Sequence, residues 1–370
     1  MVYPLCSKRY KKKISKRKKE NKIYTLIAQK ISRIVYYFSW VFAVTSKIVV
    51  GMFVSARGFT DYYTDYSEYL SGNSYLYIIS KMELIMPVAW CIYLATLPSK
   101  KQIKIPLILY ILYLIVSLGS GQRSTAILGI LFVFVYFIYR NGMNSEEKWL
   151  TKKMIVGIIL ILPFLAVFVS AYNIWREGGN ASSLNFFEGI LNFFYDQGVT
   201  GNVLKRAYMY KNQIPKQIYT LEFLHSGILA RLFNIKVYHG NTVDHAMYGG
   251  SFTHTLGYTV MNSAYLAGRG TGSSYIAELY QDFGYTGIIL GNILYSFLLA
   301  RIAKNEDNDS LLKKSIKFMI ITQLLWAPRG SFTYFISQNL TPTTIATLLL
   351  VFGISYLWEK RKYARKRKYS

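Results

Sequence analysis

The stretch MIVGIILILPFLAVFVSAY, residues 154–172, carries no charged residue across nineteen positions. A helix of that length rises about 28 Å, close to the roughly 30 Å hydrocarbon core of a bilayer. Comparable apolar blocks occupy residues 34–54, 75–97, 105–118, 124–139, 275–301, 316–338 and 343–358. Hydrophobic residues make up 52% of the chain and aromatics 16%, a composition suited to lipid as solvent. The reading is an all-α integral membrane protein with about eight transmembrane helices.

The formal charge of +26 raises nucleic acid as a partner, but its distribution points elsewhere. About fifteen of those charges lie in residues 8–22 and 360–368. Lysine and arginine beside hydrophobic spans mark the cytoplasmic side and touch anionic lipid. The expected partner is therefore membrane lipid, with no nucleic acid. The organisation that follows is a basic cytoplasmic tail (1–33), five spans (34–172), an extracytoplasmic loop (173–274), three spans (275–358) and a second basic cytoplasmic tail (359–370). Cys6 and Cys91 are too far apart in sequence to suggest a disulfide. No cleavable signal peptide is expected, because no small-residue cleavage site follows the first apolar block.

Two features of the first five spans matter for a site. Lys47 lies inside the first span, where a lysine costs roughly 2.5 to 3.5 kcal/mol on insertion scales, so it needs an inward partner or a kinked helix. The spans 105–118 and 124–139 are short. Their outer tip, Gly119-Ser120-Gly121-Gln122-Arg123, should lie near the interface and hold Arg123 at headgroup depth. Beyond the fifth span, the phenylalanines of residues 186–194 fit either an interfacial helix or an amphipathic helix packed on the spans. Gly287 and Gly291 form a small-residue contact surface for a neighbouring helix.

The candidate site residues are charged groups near the outer ends of spans. Arg123 caps the hairpin, Arg176 follows the fifth span, Arg269 lies in the glycine-rich approach to the sixth, and Arg329 follows Pro328, which should break its helix. A guanidinium offers a planar fork of donors matched to phosphate oxygens, so a set at one depth can gather a pyrophosphate. Taken singly, each arginine also fits snorkelling or a pair with Glu177 or Glu278. Glu278 and Asp282 share a helix face. There either can orient a sugar or take a proton, or serve as a helix N-terminal charge. His254 is a second candidate base, although a hydrogen-bonded loop histidine is the plainer reading. His239, Asp244, His245 and His254 match no zinc spacing, so no metal and no cofactor are expected. Asp307-Asn308-Asp309 has the form of a metal-binding DxD motif but reads as a solvated loop. Tyrosine clusters such as Tyr62, Tyr63, Tyr66 and Tyr69 suit an interfacial belt or stacking on sugar rings.

With these residues in view, the chain resembles the bacterial O-antigen and capsule repeat-unit polymerases of the Wzy type. The resemblance is carried by Ser120-Gly121-Gln122-Arg123 at a hairpin tip, by the long outer loop, by the run from Gly272-Ser273-Ser274-Tyr275 to Gly284-Tyr285-Thr286-Gly287, and by Pro328-Arg329-Gly330-Ser331. The commoner members have more spans and often two large outer loops, so a two-loop capture and release scheme does not carry over. The resemblance implies a GT-C-like helical membrane glycosyltransferase, metal-independent, at the outer face of the bacterial plasma membrane. It would transfer a growing glycan from undecaprenyl pyrophosphate to a sugar hydroxyl of the next lipid-linked unit. Arg123, Arg269, Arg329 and Arg176 would hold the pyrophosphate, and Glu278 or His254 would be the base. Tyr275, Tyr280 and Asp282 would bind sugar, and a chain-length regulator would be a possible protein partner. The alternatives are a flippase or exporter of lipid-linked oligosaccharide and an O-antigen ligase-like glycosyltransferase.

Overall fold

The computed structural model describes residues 8–143, 147–176, 179–198, 201–303 and 309–368. All regular elements among them are helical. The chain begins with α1 (Lys8–Arg57), a kinked pair α2 (Ser74–Glu83) and α3 (Ile85–Ala95), α4 (Lys100–Leu118), α5 (Arg123–Asn141) and α6 (Lys152–Arg176). The outer segment contributes α7 (Phe186–Gly198) and α8 (Phe252–Leu266). Then come α9 (Tyr275–Ala303), the shorter α10 (Leu311–Leu324) and α11 (Pro342–Lys368). Seven of these segments are long and apolar enough to cross a membrane, counting α2 and α3 as one. The span expected at 316–338 is interrupted. After α10 the chain makes a 3₁₀ turn at Ala327–Arg329, because Pro328 cannot continue the ladder, and then a short helix at Tyr334–Ser337.

An aromatic core locks α1, α3, α4, α5 and α10 together. Trp90 stacks between Tyr36 (5.2 Å) and Tyr110 (5.1 Å), and Tyr136 meets Phe318 at 5.5 Å. Pro106 inside α4 has no N–H for the Gln102 carbonyl, and the Tyr93 hydroxyl donates to that carbonyl instead at 2.8 Å. One end of the bundle gathers the basic segments. Gln29 donates to Thr96 Oγ1 (3.1 Å), the Lys30 ammonium lies 5.4 Å over the Trp358 ring, and buried Arg140 donates to the Pro98 carbonyl (2.7 Å) while stacking on Trp149. The Gln29–Lys30 part of α1, the turn before α4 and the Trp358 part of α11 therefore lie at one end. The α4–α5 tip lies at the other end, where a Cβ on Gly51 would stand 3.2 Å from the Gly119 carbonyl oxygen.

Lys47 has the inward partner its burial demands. Its ammonium lies 2.7 Å from Glu83 Oε1, and Ser46 donates to Glu83 Oε2 at 2.6 Å. The phenylalanine-rich helix takes the packed alternative, running parallel to α6. Phe186 meets Phe164 (5.3 Å), and Ser170 donates to the Gly189 carbonyl (2.7 Å). Phe187, Leu191 and Phe194 face outward.

The sixth crossing differs from the expectation. Within α9, Gly284 has φ 63° and ψ −149°, a conformation essentially restricted to glycine, and the chain reverses there. Tyr275 donates to Asn292 Oδ1 (2.8 Å) and packs on Tyr295 (4.9 Å), while Leu279 presses on Gly287 and Gly291. The neighbour of that small-residue surface is thus the chain's own preceding segment. Residues 275–283 and 285–303 form an antiparallel helical hairpin, and only the second arm crosses. Glu278 and Asp282 consequently sit on a short helix that packs antiparallel beside the span and not on its end.

Candidate functional site

The bend that builds the site lies in α8. At Met261 the backbone leaves helical geometry (φ −143°, ψ 53°), and the chain folds back so that Tyr265 reaches His254. The Tyr265 hydroxyl is 2.9 Å from His254 Nδ1 and 3.3 Å from the Thr242 carbonyl oxygen. A phenol has one proton, and the carbonyl can only accept. The consistent assignment therefore puts a proton on His254 Nδ1 and leaves the lone pair on Nε2. The His245 ring stacks on His254 with centroids 3.6 Å apart, its own Nδ1 2.8 Å from the Gly240 carbonyl oxygen. Burial, reinforced by the charge of His245, pushes the His254 pKa down to about 3. His254 is a neutral imidazole at ordinary pH.

The His254 and Tyr265 rings form part of the wall of a cavity of about 820 Å³. Phe59 and Tyr63 form one side, and the run from Gly268 to Gly272, with Arg269, forms the rim. Asn241 pins that run by donating to the carbonyls of Tyr265 (2.7 Å) and Arg269 (2.9 Å). Gly268 is required by its φ of +86°, and a Cβ there would stand 2.6 Å from the Thr60 carbonyl oxygen. The Arg269 side chain is exposed, and among the described residues nothing engages its guanidinium. The α4–α5 tip abuts the same wall, with Gly121 against the Phe59 ring.

Two further arginines belong to a second polar cluster. Arg123, at the start of α5, donates to Asn173 Oδ1, and Asn173 donates in turn to Asp196. Arg329 donates to Gln197 Oε1 at 3.2 Å and interacts electrostatically with Asp196. Arg123 and Arg329 thus converge on the end of α7. The side chain of Arg176 lies outside the described residues, as do residues 307 and 308 of the DxD motif.

The carboxylates lie outside the cavity lining. Glu278 is fully buried, its Oε1 accepting from Ser273 Oγ (2.8 Å) and its Oε2 from the Phe332 amide (2.7 Å). Asp282 accepts from the amides of Tyr219 (3.0 Å) and Thr220 (2.8 Å), capping the first turn of the 3₁₀ helix Tyr219–His225. Both oxygens of each are engaged, and neither carboxylate lines the cavity. Tyr275 is held within the helical hairpin. Tyr280 sits in a cluster with Tyr208 and Tyr285, under the Lys211 ammonium at 5.0 Å.

Glu222 was not singled out from the sequence. It lies beside Glu278, hydrogen-bonds with the Ser251 and Ser331 side chains, and has its carboxyl pKa raised by burial. A lone glutamate in a polar loop carries no sequence signal of burial. The histidines fall in the same segment, but His245 and His254 meet face to face. Among the described residues no group of three His, Cys, Asp or Glu side chains is placed to hold a metal.

Comparison with curated proteins and with solved structures returned no match. The family model described as O-antigen polysaccharide polymerase Wzy matches residues 3–362, nearly the whole length. The multispan helical bundle, the long outer segment and the arginines at one end agree with that match. The chain belongs to the Wzy O-antigen polymerase family, membrane glycosyltransferases that act on lipid-linked oligosaccharide repeat units.

Proposed function

We propose that the polymerisation runs at the outer end of the bundle, in the bacterial plasma membrane, with both termini cytoplasmic. The donor would be a glycan on undecaprenyl pyrophosphate. The orientation is supported by the basic segments gathered at the opposite end. Arg123 and Arg329, with Arg269 at the cavity rim and Arg176 close in sequence, hold the donor pyrophosphate. As the bond from the sugar C1 to the pyrophosphate oxygen breaks, these guanidiniums offset the growing charge without a metal. His254 Nε2 accepts the proton of the attacking hydroxyl. Glu278, fully enclosed, is the second choice for that role, and with Asp282 it positions the outer loops. Tyr63 replaces Tyr275 as the aromatic surface for sugar, with Tyr280 more distant.

The observation that carries this reading is that His254 and Arg269 face one large cavity at the end where Arg123 and Arg329 gather. The test is to incubate the purified protein with lipid-linked repeat unit and resolve the products by size. A ladder of longer glycans is expected, shortened or lost in Arg329→Ala, Arg269→Ala and His254→Gln. Near-normal chain lengths in the two arginine variants would remove the pyrophosphate site. Movement of substrate across vesicles with no ladder would point to transport.

A further inference from the structure

Joining two lipid-linked units needs seats for two lipid phosphates, and the arginines account for one. A second cation lies at nearly the same depth. Lys47 is one turn before Gly51, which packs on the Gly119 carbonyl, so it stands about 6 Å below the tip that carries Arg123. Its partner Glu83 is held independently by Ser46 Oγ and, at 3.4 Å, by the Tyr113 hydroxyl. An ammonium has three donors, and the ion pair occupies one of them.

Two openings meet at Lys47. On the lipid side, a groove of about 560 Å³ between α1 and α4 is lined by Ile48, Met52 and Val116. Met52 is 68% exposed, so the groove opens sideways towards the acyl chains. On the inner side, a cavity of about 400 Å³ runs from Lys47 past Tyr62 and Tyr66 to His254. It shares Tyr63, Asn241 and His254 with the larger cavity. His254 is thereby approached from two directions.

We propose that Lys47 seats the phosphate of the acceptor lipid, with the prenyl chain in the α1–α4 groove and the glycan in the tyrosine-lined cavity that leads to His254. This rests on the polymerase reading above. Donor and acceptor make different demands on cations. The donor's C1–O bond breaks and its pyrophosphate departs with the bonding pair, so it calls for several fixed guanidiniums. The acceptor's phosphate keeps its bonds and has only to be held, which suits one ammonium. The acceptor oxygen forms the new glycosidic bond to C1 as its proton passes to His254 Nε2.

The test uses the full chain in phosphatidylcholine nanodiscs and a prenyl pyrophosphate bearing a diazirine in its hydrocarbon chain. Photolabelled peptides are mapped by mass spectrometry. Labelling is expected at Ile48, Met52 or Val116, with undecaprenyl pyrophosphate competing at least tenfold better than phosphatidylglycerol. Lys47→Gln/Glu83→Gln, which removes both charges together and strands neither, should reduce it at least tenfold. Met52→Trp, which fills the groove but leaves the ion pair, should reduce it similarly, and Arg329→Ala should leave it in place. Undiminished labelling in the double variant would overturn the proposal. So would equal competition by phosphatidylglycerol, the mark of an ordinary lipid groove, or loss in Arg329→Ala, the mark of a single seat. Groove labelling that behaves as expected while the protein makes no glycan ladder would support the lipid-phosphate seat and sink the polymerase reading.

Discussion

Gly287 is where the outer hairpin is most exposed to a small perturbation. A methyl group there would stand 2.5 Å from the Leu279 carbonyl oxygen and 2.7 Å from Phe283 Cβ. Ordinary contact lies near 3.5 Å, so Gly287→Ala forces the two arms apart by most of an ångström. The obstacle is backbone, which no rotamer change can move aside. Overpacking of this kind costs about 1 to 3 kcal/mol, and 2 kcal/mol shifts an open–closed equilibrium roughly thirtyfold. Opening the hairpin draws Asp282 away from the Tyr219 and Thr220 amides and Glu278 away from the Phe332 amide. Hydrogen exchange should therefore rise at least tenfold at residues 219, 220 and 332 in the variant. Gly291 provides the contrast, because the nearest atoms a methyl there would meet belong to the Leu279 side chain, its two terminal carbons at 2.3 and 2.8 Å. Leu279→Ala should relieve Gly291→Ala and fail to relieve Gly287→Ala. Gly353→Ala, where nothing lies within 4 Å, is the neutral control. If Gly287→Ala exchanged like Gly353→Ala, the close antiparallel packing of α9 would be wrong.

Other outcomes follow from the same geometry. His254 stays neutral in the folded protein down to about pH 3, whereas an unfolded histidine protonates near pH 6.5. Its contribution is thus complete above pH 6.5 and falls by roughly 1.4 kcal/mol per pH unit between 6.5 and 3. Melting curves at pH 7.5 and 5 should show that loss, and His254→Gln should remove one proton's share of the slope; an unchanged slope would contradict the burial of this ring. Glu83→Ala, which strands Lys47 within a span, should destabilise by about 3 to 5 kcal/mol in detergent melts, whereas Lys47→Gln/Glu83→Gln should cost far less. Equal costs would mean the ion pair is not enclosed. Asp282→Asn keeps the shape but lacks the charge that accepts two amides, and should cost about 1.5 to 3 kcal/mol in stability. A change in sugar selectivity with stability intact would instead return Asp282 to the sugar-binding set.

The membrane class was legible from uncharged blocks such as 154–172, because the bilayer fixes both the length and the composition of a crossing helix. Lys47's need for a partner was legible too, since an isolated charge in lipid is costly wherever it falls. The break after α10 followed from Pro328, and the contact surface at Gly287 and Gly291 from the absence of side chains. What stayed hidden was the identity of the neighbour. A hydropathy pattern does not separate a straight helix of 29 residues from a hairpin turned at one glycine, because Gly284 resembles any other glycine in a span. The same limit applies to the site. Glu278 carried the sequence features expected of a base, but its role depends on where Ser273 and Phe332 point, and residue 332 lies far along the chain. His254 could be named as a candidate; its partner Tyr265 came within reach only through the bend at Met261.

These placements bear on how such a site avoids wasting an activated donor. Within the protein alone His254 is a weak base, because burial and the neighbouring His245 both disfavour its charged form. A lipid pyrophosphate arriving nearby carries negative charge, which favours the imidazolium and strengthens the base as the donor binds. In the proposed site the arginines would supply the opposite influence at the leaving oxygen. Arg123 and Arg329 converge on the end of α7, whereas His254 is held against His245 and Tyr265 in the wall of the cavity whose rim carries Arg269. Because neither Arg123 nor Arg329 lines that cavity, a donor held as proposed would raise the basicity of His254 against Arg269 alone, and proton transfer would be favoured chiefly when donor and acceptor are both present.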